Sequence, residues 1–106
     1  MIKIKIIRNP EQGIVEFRVT GHANQGPHGQ DIVCAGVSAL TQTAVLGLDR
    51  HLRARIHLDI ASGNLKMCLL DNPDRLTNAV LETMLIGLTE IAKANPQSVR
   101  ISEHRR

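Results

Sequence analysis

Isoleucine occupies positions 2, 4 and 6 with lysine between them, Ile2-Lys3-Ile4-Lys5-Ile6. Side chains two apart share one face of an extended strand, so this run can bury one face while keeping the other polar. Isoleucines at that spacing fall on opposite sides of a helix, which leaves a half-buried strand ending near Arg8. Turn residues follow in Asn9-Pro10-Glu11-Gln12-Gly13, after which Val15, Phe17 and Val19 alternate with Glu16, Arg18 and Thr20. The two strands make a hairpin that delivers Gly21 and His22 to an end of a sheet.

From Asp31 the period changes. Val33, Val37, Leu40, Ala44 and Leu48 lie three or four apart and form one apolar face of a helix over about 32 to 48. Asp31 suits its N-cap, since a short carboxylate accepts from the unpaired amides of a first turn. That placement makes Cys34 the third helical residue. Arg55, His57 and Asp59 then alternate with Ile56, Leu58 and Ile60, and Ser62-Gly63-Asn64 turns the chain into Leu65, Met67 and Leu69 alternating with Lys66 and Cys68. Asn72 or Asp71 caps a second helix that begins at Pro73, carries Leu76, Val80, Met84, Leu88 and Ile91 as its buried stripe, and ends near Asn95. A last strand covers 98–102. The fold class predicted is α+β in the order ββαββαβ. One mixed or mostly antiparallel sheet carries two helices on one face, within a single domain over residues 1–106.

Composition narrows the functional classes. With 106 residues, 42% of them hydrophobic, the chain can bury an aliphatic core without metal or disulfide staples. It has one phenylalanine and no tyrosine or tryptophan, so it lacks the stacking platforms of single-strand readers, and no direct nucleic-acid binding is expected. The formal charge of +3 is modest, and much of the excess sits in the final Arg100-Ile101-Ser102-Glu103-His104-Arg105-Arg106, which reads as a solvated tail. The alternating start lacks the apolar core of a signal peptide and no membrane-length apolar stretch is expected, which points to a soluble, cytoplasmic protein. In that compartment Cys34 and Cys68 are expected as thiols.

The chemistry concentrates in residues 21–40. A cysteine near an apolar helix is often just a small buried hydrophobe. Cys34, however, lies about 100° around the helix from the stripe residue Val33, beside the preceding loop and inside the expected first turn, where a thiolate is favoured. His22 is the natural partner for a cysteine–histidine pair, with His28, between Pro27 and Gly29, as a solvated alternative. Spacing along the chain does not fix their distance in space. His22, His28 and Cys34 fit no compact metal-ligand spacing, and the Gly26-Pro27-His28-Gly29 loop has no phosphate-binding lysine, so neither metal nor cofactor is expected. Gly26 and Gly29 would let that loop open and close over a substrate.

These residues also carry a resemblance. Gly21-His22-Ala23, then Gly29 and Asp31-Ile32-Val33-Cys34-Ala35-Gly36-Val37-Ser38-Ala39, with Glu82-Thr83-Met84-Leu85-Ile86-Gly87-Leu88 on the second helix, resemble the ribosomal-processing cysteine proteases called Prp. The resemblance implies a dimeric bacterial endopeptidase that removes the N-terminal extension of one large-subunit ribosomal protein, number twenty-seven. It implies Cys34 as nucleophile and His22 as general base and acid. Asp31 would orient His22 or only cap the helix, and Ser38, one turn beyond Cys34, would support the site. The alternative is a non-catalytic ribosome-associated binding protein with an inert Cys34.

Overall fold

The structure is a computed structural model that describes residues 1–22 and 29–106, with the side chains of 29–31 outside the description. The first hairpin is present as β1 (Ile2–Arg8) and β2 (Ile14–Thr20), paired antiparallel. Asn9 closes the turn twice. Its amide donates to the Gly13 carbonyl, and its side-chain oxygen accepts from the Gly13 amide, each at 2.8 Å. The register shifts between Ile7 and Arg8, and the strand beyond the bulge is buried continuously over Ile14, Val15, Glu16 and Phe17 instead of alternating.

Helix α1 (Gly29–Leu46) runs into a π-helical turn over Gly47–His51, where the Leu52 amide reaches back to the Gly47 carbonyl at 3.0 Å. The second hairpin is β3 (Ile56–Ala61) and β4 (Asn64–Leu69), joined by Ser62 and Gly63. Helix α2 (Arg75–Ala94) and strand β5 (Val99–Arg105) complete the chain. The five strands lie in the order β3-β4-β2-β1-β5, antiparallel except for β5, which runs parallel to β1. The α+β order ββαββαβ and the mixed sheet are therefore as the periodicity predicts.

Both helices pack on the sheet face that carries Ile2, Ile4, Ile6, Phe17 and Met67. Val33, Val37 and Leu48 from the first helical stretch and Leu81, Met84 and Leu88 from α2 close the core over it. Each such side chain contributes about 1.5–3 kcal/mol on leaving water. At one end of this layer Arg8 is held by Glu82 of α2 and Glu103 of β5, at 2.6 and 2.7 Å.

Four expectations are corrected. Helix α1 starts at Gly29, not near 32, so Gly29 belongs to a helix and Asp31 lies inside the first turn instead of at the cap. Helix α2 is capped by Asp74, which accepts from the Thr77 amide at 2.9 Å while Thr77 Oγ accepts from the Asp74 amide at 3.0 Å. That reciprocal capping box outcompetes the expected start at Pro73, and Leu76 turns outward, 62% exposed. The final basic segment is not a tail: β5 pairs with β1 along its whole length, and the Arg106 amide donates to the Arg8 carbonyl. Finally, Ile32–His51 is long and apolar enough to cross a membrane, with mean hydropathy 1.5; Val33, Val37, Ala44, Val45 and Leu48 within it are core residues.

Candidate active site

His22 stands just beyond β2, where the chain leaves the sheet through Gly21. Gly21 adopts φ +87°, a backbone region that side chains disfavour, and a Cβ there would run into the Met1 carbonyl. Two hydrogen bonds fix this exit. The Gly21 amide donates to the Gly63 carbonyl at 3.0 Å, and the Met1 amino group donates to the His22 carbonyl at 2.8 Å. The start of β1 and the β3–β4 turn thus hold the backbone on either side of the histidine.

Gly63 also faces the imidazole. It is the second residue of the turn, with φ +71°, and a Cβ built on it would lie 2.5 Å from His22 Nε2. Only a residue without a side chain lets the turn lie against the ring.

Cys34 approaches from α1. As the sixth residue of the helix it sits in the second turn, half-buried, packed against the edge of the core. The dipole and unpaired amides act chiefly within the first turn, so they reach Cys34 less strongly than its expected third position implied. Cys34, His22 and Ser38 line one cavity of about 200 Å³ between α1 and the β3–β4 hairpin. Its walls include Val19, Val37, Ile60 and Leu65, with Thr41, Gln42 and Asn64 as further polar groups. Among the described residues no carboxylate, lysine or arginine lines it. Such a site favours an uncharged, partly apolar ligand segment.

The fold therefore gathers the sequence candidates His22, Cys34 and Ser38. The side chain of Asp31 lies outside the described residues, as do Gly26 and His28, so the orientation of His22 by Asp31 and the opening of the loop are not described. Gly63, Gln42, Thr41 and Asn64 went unrecognised as site residues. Gly63 reads in the sequence only as a turn signal, and no local pattern links that turn to a histidine about forty positions earlier.

The other cysteine has a different setting. Cys68 lies on the opposite face of the sheet, directly across from Glu16, and no disulfide joins it to Cys34. Burial, followed by its hydrogen bond to Glu16, pushes the Cys68 thiol up, which keeps it protonated and unreactive at neutral pH. Burial alone would also raise Glu16, but hydrogen bonds from Arg18 and Cys68 hold its carboxyl below the usual carboxylate range.

A sequence model of the family described as cysteine protease Prp matches residues 1–100. The chain belongs to the Prp family of cysteine proteases. The ribosomal processing cysteine protease Prp of Staphylococcus aureus is 31% identical over 105 residues, spanning 96% of this chain and 98% of that protein. Its Bacillus subtilis counterpart is 53% identical over 45 residues, 42% of this chain and 40% of the relative. A crystal structure of the essential S. aureus Prp with a covalently linked product peptide superposes with a TM-score of 0.89 at 28% identity, covering 97% of this chain and 99% of that one. The S. aureus enzyme has also been solved with a substrate peptide. A Streptococcus mutans protein gives the same TM-score and identity, covering 100% of this chain and 99% of its own.

Proposed function

We propose that this Prp-family enzyme is the cytoplasmic endopeptidase that removes the N-terminal extension of large-subunit ribosomal protein twenty-seven, acting as a homodimer through Cys34 and His22. The observation that carries the reading is that Cys34 and His22, on separate elements, face one cavity with apolar walls and Ser38 one turn away. The peptides bound to the S. aureus relative, one of them covalently, support a peptide substrate and a covalent step.

In this reading His22 accepts the Cys34 Sγ proton and the thiolate attacks the scissile carbonyl carbon. Negative charge then collects on the carbonyl oxygen, where amides at the start of α1 would stabilise it. Collapse breaks the C–N bond, and the imidazolium returns its proton to the departing amine. Water, deprotonated by His22, hydrolyses the thioester and frees the new carboxylate. Ser38 supports the helix face that presents the thiol, and Asp31 would orient His22.

The test is incubation with the unprocessed ribosomal protein, followed by mass analysis. Wild type and Cys68→Ser should both release one fragment, whereas Cys34→Ser and His22→Ala should not. Cleavage that survives Cys34→Ser would overturn the mechanism, and an intact substrate with wild type would overturn the substrate assignment.

A further inference from the structure

The sheet sorts the charge of the chain. On the face turned away from the helices, Lys3 lies beside Arg100 across β1 and β5, Lys5 beside Arg18 across β1 and β2, and Arg18 beside Lys66 across β2 and β4. Lys5, Arg18 and Lys66 thus form three consecutive places in one row across the strands, each about 4.8 Å from the next. Like charges directly opposite one another destabilise a sheet. Arg106 adds a sixth cation from the end of β5.

Among the described residues two carboxylates share the face. Glu16 is 5% exposed and already taken by Arg18 at 2.6 Å and Arg106 at 3.6 Å. Asp59 lies across from Lys66. Six cations against two carboxylates leave +4 on this one face, when the whole chain carries +3. Among the described residues Lys3, Lys5, Lys66 and Arg100 form no ion pair. Within the fold Arg18 alone of the row is paired, with Glu16, which leaves Lys5 and Lys66 to a counter-charge from outside.

We propose that this open face binds the phosphate backbone of double-helical RNA. The separated aliphatic side chains Ile7 and Leu70 offer a bilayer no insertion surface. A second copy stacked face to face would set the row against itself. Phe17 is buried in the core and the chain has no tyrosine or tryptophan, which counts against base stacking on single strands but places no limit on phosphate contact, which needs only cations and hydroxyl or amide donors. Thr20 and Ser102, interleaved with the cations, supply such donors. The choice of RNA over other polyanions rests on the proposed ribosomal substrate; the binding is measurable without cleavage, so the two can fail separately.

The experiment measures anisotropy of a labelled short RNA duplex with the full chain across a salt series. Four net charges predict a slope of log affinity against log salt of about −3.6, a weakening on the order of 100-fold between about 50 and 200 mM salt. Lys3→Ser/Lys5→Ser/Arg100→Ser should remove most of that slope while retaining peptide cleavage and losing no thermal stability, because repulsion is relieved. Arg75→Ser/Lys93→Ser on α2 should bind as wild type, and so should Cys34→Ser. Undetectable duplex binding at low salt overturns the proposal. So does an unchanged slope in the triple variant, or equal affinity for a polyglutamate chain or for vesicles of anionic lipid.

Discussion

Replacing Gly63 with alanine tests whether the β3–β4 turn positions the histidine. The added Cβ would lie 2.5 Å from His22 Nε2, 3.1 Å from Cε1 and 3.3 Å from Cδ2, whereas ordinary van der Waals contact begins at 3.4 Å. The imidazole must therefore retreat by about 0.9 Å at its nearest atom, and a misplacement near 1 Å can cost about a hundredfold in rate. Separately, a non-glycine residue at φ +71° costs roughly 1–2 kcal/mol of stability. For a domain of this size that lowers the melting midpoint by about 4–8 °C per kcal/mol. The assay pairs peptide cleavage under conditions where the variant remains folded with a thermal melt. Asp74→Ala provides the control, since losing its cap destabilises the chain by about 0.5–2 kcal/mol far from the cavity and should leave the rate of the folded enzyme unchanged. Gly63→Asn should recover part of the stability, because asparagine tolerates the left-handed region, yet stay slow. Wild-type cleavage by folded Gly63→Ala would refute the idea that this turn holds the ring.

Alkylation at neutral pH should label Cys34 well before Cys68, because burial and Glu16 keep the latter protonated; peptide mapping that finds Cys68 modified first would contradict this. The folded-state pKa of Glu16 lies below its ordinary 4.5, so its carboxylate stabilises the fold above that pH, and the contribution fades as pH falls through the folded value. Glu16→Gln should accordingly be less stable than wild type at neutral pH and lose less stability on acidification below 4.5, read by denaturant titration at several pH values. Leu81→Ala removes a fully buried side chain of α2 and should cost about 2–5 kcal/mol, measured as a shift in the urea midpoint.

Much of the architecture is legible in the chain because alternation and helical period are local. Ile2, Ile4 and Ile6 could bury one face only as a strand, and Val33, Val37 and Leu48 could do so only as a helix. Boundaries are less legible, since each depends on a competition between caps. Asp74 with Thr77 satisfies two backbone donors at once, and Asn72 with Pro73 offers no equivalent pair. The strand expected over 98–102 is present, but its continuation to Arg105 read as part of a basic tail because its polar character is local, whereas its pairing with β1 is not.

The chain by itself determined its strands, its two helices and the presence of a cysteine and a histidine flanking a glycine-rich loop. Those properties follow from side-chain periods and residue types within a few positions of each other. Tertiary structure alone decided that His22 and Cys34 face the same cavity and that Gly63 makes room for the ring. It also decided that Lys5, Arg18 and Lys66 stand in one row. Each of these depends on strand order and register, which join segments far apart in the chain and leave no trace in local sequence.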